Sequence, residues 1–388
     1  MGHTHESVFI SSLTFPRDIF ATLSPSSFIK THINQSSSFD SGKEIRPNGR
    51  QLHECRLPHI NTGSLSHASG SAVVRLGDTA AVAGIRPEII RVQDIPNVPK
   101  SVKEWQPLQY DGKRRLNNED KIIESERHDQ GQILQEDEVS ALGLVVPNVD
   151  TNTACASQHS NASSRLAQDL TQRILELIQF VGLVKADDLR LTYKPSLLES
   201  TDAENVGPED VDKGDCEQVV AYWVLYIDIV FISLDGAAFD TAWCAAVAAL
   251  QNLALPRATW QAELNNVVCD IEKSKSRRLN LRGLPFAASF VASSGANRNF
   301  GEDRSVAVHE NGNPGRQVFV LADPDSFEER VCNEAITIVV DCSGENAKIL
   351  RLEKRGGTFV GRNNMKKLIE LAGDRWSQLN QAVASSII

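Results

Sequence analysis

The chain has 388 residues, 41% of them apolar, with a formal net charge of -10 and a pI near 5.5. That length exceeds one average core and implies roughly two to three domains, which the apolar content can fill. The acidic balance excludes a protein that grips nucleic acid by itself over a broad basic surface, so any RNA contact must be local or shared with a partner.

Residues 1–42 are rich in Ser, Thr and Phe, and Phe15-Pro16, Leu23-Ser24-Pro25 and Phe28-Ile29 suit a helical or extended arm docked on a surface. Next comes Arg46-Pro47-Asn48-Gly49-Arg50. Pro47 fixes its own φ, and Asn48-Gly49 supplies the positive-φ positions of a sharp turn. Residues 71–76 are small, apolar and β-branched, Gly77-Asp78 is a hairpin signal, and residues 79–85 continue as a second apolar strand. Arg46, Arg50 and Arg56 either bind an acidic ligand or pin the turn to its neighbours through ion pairs, and the second reading is favoured.

Residues 93–140 carry Pro96, Pro99 and Pro107 and then a mixed-charge tract with few aliphatics, which reads as an inserted mobile loop. A second, acidic insertion runs over residues 199–217. Between them Leu166, Leu170, Ile174, Leu177, Ile178 and Val181 recur at three- and four-residue spacing, which predicts an amphipathic helix over residues 164–183. A buried strand is predicted over 219–234. Asp235-Gly236 then turns the chain, and an alanine-rich helix follows over 241–253, with Asp240 as its cap and Pro256 beyond its end. Further strands are predicted at 286–292, 317–321, 335–341 and 347–352, and a closing helix at 365–383, so the fold class is α+β.

Seven cysteines, Cys55, Cys155, Cys216, Cys244, Cys269, Cys332 and Cys342, are scattered without a C-x-x-C pair. An odd count suits reduced thiols in a cytosolic or nuclear compartment. Neither a signal peptide nor a membrane span is expected. No P-loop, dinucleotide fingerprint, H-E-x-x-H or G-x-S-x-G motif is present, and the nine histidines are scattered, so no metal and no cofactor is expected. The segment with catalytic potential holds Asp228, Asp235 and Asp240. These could place a metal or a proton, or could simply form a turn and a cap. The basic run Lys273, Lys275, Arg277, Arg278, Arg282 faces RNA or an acidic partner, or is a solvated linker, and Arg91, Lys100 and Lys103 pose the same question more weakly.

The opening motif from Arg46 to Thr79 closely resembles the start of the RNase PH family. Val145-Val146-Pro147-Asn148-Val149-Asp150, Trp223-Val224-Leu225-Tyr226, Asp235-Gly236 with Asp240-Thr241-Ala242, and Leu321-Ala322-Asp323-Pro324 with Glu328-Glu329 extend the likeness to the RNase PH-like ring subunits of the eukaryotic RNA exosome. The resemblance implies two linked α+β domains, a βαβ-type core over 43–260 holding both insertions and a smaller sheet-and-helix domain over 283–388, after the 1–42 arm. It also implies a six-membered ring built with other RNase PH-like subunits and capped by RNA-binding subunits. That ring threads RNA toward associated nucleases for 3′-end processing of ribosomal and other RNAs, in nucleus, nucleolus and cytoplasm.

Active relatives place an arginine a few residues after the Asp-Gly turn. Here Gly236-Ala237-Ala238-Phe239-Asp240 puts Phe239 and Asp240 there, and residues 157–165 carry only Arg165. The resemblance therefore implies a catalytically inert subunit with no catalytic residue, and the basic clustering leaves Arg91, Lys100, Lys103, Lys273, Lys275, Arg277 and Arg278 as the candidate RNA contacts. Two other readings compete with it. One is a phosphate-dependent 3′→5′ exoribonuclease using Asp228, Asp235 and Asp240, and the other an autonomous single-strand RNA-binding module.

Overall fold

A computed structural model describes residues 16–39, 44–95, 138–151, 160–193, 218–270, 272–294, 318–332, 334–344, 346–356 and 361–386. The 199–217 insertion and most of 93–140, with Lys100 and Lys103, lie outside the described residues. In chain order the elements are α1 (Arg17–Leu23), α2 (Pro25–Phe39), β1 (Pro58–Thr62), β2 (Gly70–Leu76), β3 (Thr79–Arg91), β4 (Val145–Thr151), α3 (Ser160–Val181), β5 (Arg190–Tyr193) and β6 (Gln218–Ser233). They continue with α4 (Ala238–Asn252), β7 (Ala254–Leu255), β8 (Ala258–Gln261), β9 (Asn266–Cys269), β10 (Arg277–Arg278), β11 (Phe286–Ser294), β12 (Val318–Ala322), α5 (Ser326–Val331), β13 (Glu334–Asp341), β14 (Lys348–Arg355) and α6 (Arg362–Ser386). None of the described helices is long and apolar enough to cross a membrane.

The first sheet orders its strands β1-β2-β3-β6-β4, with β5 also pairing β6. Its nucleus is the expected hairpin: Leu76 pairs with Thr79 across Gly77-Asp78, and Gly77 takes the positive φ of 58° that the turn needs. β3 runs on to Arg91, beyond the residues that look strand-like in isolation. The long β6 templates it from Ser233 opposite Ala80 to Ala221 opposite Arg91. β4 joins β6 in parallel, so the chain must cross over between them, and α3 lies on that crossover.

Alternation splits this sheet into two faces. Val74, Leu76, Ala81, Ala83, Ile85, Ile227, Ile229 and Phe231 are buried on one of them, which α3 and α4 cover. The stripe Leu170, Ile174, Leu177 and Ile178 that predicted α3 is the side it buries. α4 is buried along nearly its whole length, and its alanines let the strands come close.

Asp240 is not the cap of α4. The helix begins at Ala238, Ala237 stands at the N-cap position in left-handed geometry (φ 49°, ψ 41°), and no side chain caps it. The Asp240 carboxylate is inside the first turn, where Ser289 engages it.

The second sheet orders its strands β12-β11-β13-β14. Two compact units emerge, one of Met1–Cys55, Phe290–Ile336 and Lys354–Gly361, the other of Arg56–Ser289, Thr337–Glu353 and Arg362–Ile388. The first unit has its own core of Phe28, Ile29 and Ile33 from α2 with Leu52, Val291, Phe319, Leu321 and Cys332, and Phe20, Phe327 and Val331 pack against it. The N-terminal arm is thus docked as expected, and it helps build that core. In the second unit α6 buries Leu368, Ala372, Trp376, Leu379 and Val383, again at helical spacing.

Candidate functional site

The arginines of the opening motif take different places. Arg46 is fully buried in the first unit. Its Nε donates to Gln51 O (2.9 Å), its Nη2 to Leu52 O (2.8 Å), Glu54 O (2.9 Å) and Ala322 O (2.6 Å), and its Nη1 to Glu328 Oε2 (3.2 Å). Burial lowers the Arg46 pKa and raises that of Glu328, so for both groups desolvation outweighs the attraction between them. Arg50 donates to Asp323 O (2.9 Å), and Asn48 Nδ2 donates to Asp325 Oδ2 (2.8 Å). Asp325 and Glu328 form a capping box on α5, whose signal in the sequence is the spacing Asp325-x-x-Glu328. These side chains anchor the entry turn, and no guanidinium edge of Arg46 is left for a ligand.

In the second unit the Asp235-Gly236 turn is clamped from two sides. Asp235 N–H donates to Thr79 Oγ1 (2.8 Å), which in turn donates to Gly236 O (2.8 Å). Arg56 Nη1 donates to Asp235 O (2.7 Å) and lies 3.9 Å from Asp235 Oδ2. Arg56 is positioned by Arg375, whose Nη1 donates to Arg56 O (2.7 Å). Beyond the strained Ala237, Phe239 is buried, stacks on Trp243 and carries the Arg173 guanidinium over its ring at 4.0 Å.

Arg173 therefore stands next to the position where the resemblance calls for a phosphate-holding cation. Its charge is already matched, with Nη2 2.8 Å from Glu353 Oε2 and Nη1 4.0 Å from Asp169 Oδ2. Only the Asp169–Arg173 helical spacing was visible in the sequence, because the contact with Phe239 depends on how α3 and α4 share the sheet. Asp240, 5% exposed, accepts from Ser289 N (2.7 Å) on Oδ2 and from Ser289 Oγ (2.7 Å) on Oδ1.

Asp228 stands apart. It lies on the open face of β6, opposite the face that α4 covers, and accepts from Asn148 Nδ2 (3.3 Å). The three carboxylates singled out together are therefore not brought together. Among the described residues no group of three or more His, Cys, Asp and Glu side chains is arranged to hold a metal ion.

The basic residues are mostly answered by acids nearby. Arg91 Nε pairs with Asp94 Oδ2 at 2.7 Å. Lys275 Nζ is 3.0 Å from Asp270 Oδ2 and 3.1 Å from Glu272 Oε2, and the Asp270 hydrogen bond raises the lysine pKa. Arg277 Nη2 donates to Asp188 O (2.5 Å) and lies 3.7 Å from its carboxylate. Arg278, next to it on β10, is exposed and has no ion pair among the described residues. Lys273 belongs to a 3-10 turn, and its side chain is outside the described part.

The first sheet thus joins an antiparallel array with one parallel strand to a strand-turn-helix that carries Asp235-Gly236. The model of the 3′ exoribonuclease family, domain 1 (RNase PH), matches residues 54–256, and the chain belongs to this family. It is 26% identical over 368 residues to "Exosome complex component rrp43" of Schizosaccharomyces pombe, covering 95% of this chain and 98% of that protein. With "Exosome complex component Rrp42" of Methanothermobacter thermautotrophicus it shares 22% identity over 342 residues, 88% of this chain and 90% of that one. Two solved structures share the fold at 16% identity over 94% of this chain. A chain of the Archaeoglobus fulgidus exosome with RNA bound to the active site is covered to 99% with a TM-score of 0.51, and a chain of an archaeal exosome core to 100% with 0.50.

Proposed function

We propose that this chain is a non-catalytic structural subunit of an RNA exosome ring. It packs beside other RNase PH-like subunits and lines the channel that carries RNA to 3′→5′ processing and decay, ribosomal RNA maturation included. Likeness over 95% of the chain to a protein named as an exosome component supports the assembly. The commitment of Asp240 to Ser289 carries the inert reading. Phosphorolysis needs cations free to hold the attacking phosphate and a carboxylate free to place a metal or proton. At this turn Arg56 is bound to a main-chain carbonyl, Arg173 is matched by Glu353 and Asp169, and Asp240 is enclosed.

The same reading supplies the remaining partners and places: RNA-binding cap subunits, associated nucleases, and residence in nucleus, nucleolus and cytoplasm. It requires no cofactor of this chain's own. The test is native purification of the tagged chain, followed by incubation of the chain alone and of its complex with single-stranded RNA, Mg²⁺ and phosphate. A stoichiometric set of RNase PH-like subunits is expected. Release of nucleoside diphosphates that Asp235→Ala abolishes would overturn the inert reading, and recovery of the chain without such subunits would overturn the ring.

A further inference from the structure

The face of the first sheet opposite α3 and α4 carries a row of aliphatic side chains among the polar ones usual for an open antiparallel face. Register places Val73 beside Val82, Val82 beside Val230, and Ile232 two residues further along β6 on the same side. Val230 is 40% and Ile232 57% exposed, and Val146 on β4 is exposed as well. Leu65 extends the apolar row, since its Cδ1 lies 3.2 Å from where a side chain on Gly84 would begin. Exposed aliphatic side chains grouped in this way on a sheet mark a contact surface.

Charge narrows what fits there. Arg75 is paired with Asp78 and Arg86 with Glu88. Asp150 and Asp228 remain, diagonal neighbours on this face through the pairs Asp150 with Val230 and Asn148 with Asp228. Two carboxylates side by side repel an RNA backbone and favour a cationic group between them. The sheet's edge strands are partly engaged. Pro147 on β4 has no N–H, Val149 N–H donates to Thr171 Oγ1 (3.0 Å), and on β1 Thr62 Oγ1 donates to Ser386 O of α6 (2.7 Å).

We infer that this open face is the docking surface for a neighbouring protein subunit. That subunit sets aliphatic side chains on Val82, Val230 and Ile232 and a lysine or arginine between Asp150 and Asp228. The inference rests on the ring reading above and adds to it the surface and the chemistry of the neighbour.

The tagged full chain is expressed with its co-purifying subunits as wild type, as Val230→Lys with Ile232→Lys, and as Asp150→Asn with Asp228→Asn. Native mass spectrometry reads the complex, and circular dichroism of each chain reads its fold. The lysine pair is expected to weaken association at least about tenfold, the loss of roughly one buried aliphatic side chain. The asparagine pair, which removes charge without adding bulk, should leave the chain folded and flatten the salt dependence of dissociation.

Normal assembly by both variants overturns the docking surface while leaving the ring reading intact. A wild-type chain that recruits no RNase PH-like subunit overturns both. Intact assembly with reduced RNA retention also overturns the inference, because the face would then serve nucleic acid.

Discussion

Replacing Arg46 by Met tests whether the opening motif holds the fold. Met fills similar space but donates no hydrogen bond, so the change isolates the polar contribution. Gln51 O keeps Glu54 N–H (3.2 Å) and Leu52 O keeps Ala322 N–H (2.9 Å), so those two acceptors are not orphaned. Glu54 O and Ala322 O lose their Arg46 donor. The Glu328 carboxylate, 1% exposed, loses its nearest cation while keeping Asp325 N–H (3.1 Å) and Arg50 at 3.8 Å, so the cost is about 3 kcal/mol, the lower end for a buried pair broken from one side. A domain's whole stability is about 5–15 kcal/mol, so the first unit should approach its unfolding threshold.

Glu328→Gln should be milder, because the Arg46 guanidinium it leaves keeps four main-chain carbonyl acceptors, of Gln51, Leu52, Glu54 and Ala322. Burial raises the pKa of Glu328, so the folded state holds that proton more tightly than the unfolded chain does. This group's contribution to stability therefore grows as pH falls through the folded pKa and is lost as pH rises. Its charge at neutral pH is a burden, and Gln removes it for less than about 1.5 kcal/mol of lost hydrogen bonding. Adding Glu328→Gln to Arg46→Met should recover part of the loss. Urea denaturation followed by circular dichroism measures all four chains. A loss under about 1 kcal/mol for Arg46→Met, or an equal loss for Glu328→Gln, would refute the reasoning.

Gly70→Ala should destabilise by about 1–3 kcal/mol in the same assay, because its Cβ would stand 2.6 Å from Ala249 O and 2.7 Å from Leu253 Cα, main-chain atoms that cannot step aside. Asp240→Asn replaces two charge-assisted hydrogen bonds by neutral ones, its Oδ1 accepting from Ser289 N–H and its Nδ2 donating to Ser289 Oγ, and should cost about 1 kcal/mol, while RNA decay by the assembled complex stays unchanged. Burial pushes the Cys244 and Cys332 thiols up to about 12, whereas Cys269 is exposed. Timed alkylation at pH 8 with mass spectrometry should label Cys269 before those two, which react only after unfolding, and equal rates for the three would contradict the packing. Tyr222 OH donates to the buried Glu138, which Arg190 also engages, so Tyr222→Phe should cost about 1 kcal/mol and Glu138→Ala several times more by thermal melting.

Local chemistry made much of the fold legible in the sequence. The Gly77-Asp78 turn marked its hairpin, the spacing from Leu170 to Ile178 marked α3, and runs of β-branched residues marked β6 and the later strands. What stayed hidden depends on partners remote in sequence. β3 reaches Arg91 only because β6 pairs with it that far. The β8–β9 hairpin has only four residues on each side, and its second strand, Asn266-Val267-Val268-Cys269, does not alternate, so it gave too short a pattern to read. The basic run failed as a guide to free charge for the same reason. Asp270 and Glu272 are near Lys275 in sequence, but the acid that meets Arg277, Asp188, arrives from before β5.

The candidate site shows how far a motif can be separated from the chemistry it suggests. Arg46, Arg56 and Asp240 are the residue types that bind phosphate or a metal, and each is drawn instead into main-chain hydrogen bonds that close a turn or tie a helix to a strand. Buried polar groups are expensive to strand, so a fold that encloses them must bind them fully, and full binding removes them from a ligand's reach. Asp235 is the exception, because its carboxylate stays more than one third exposed beside Arg56. Of the three acids considered, Asp235 and the distant Asp228 stay open to solvent, and only Asp235 does so at the turn. For that reason the activity test turns on Asp235→Ala rather than on Asp240.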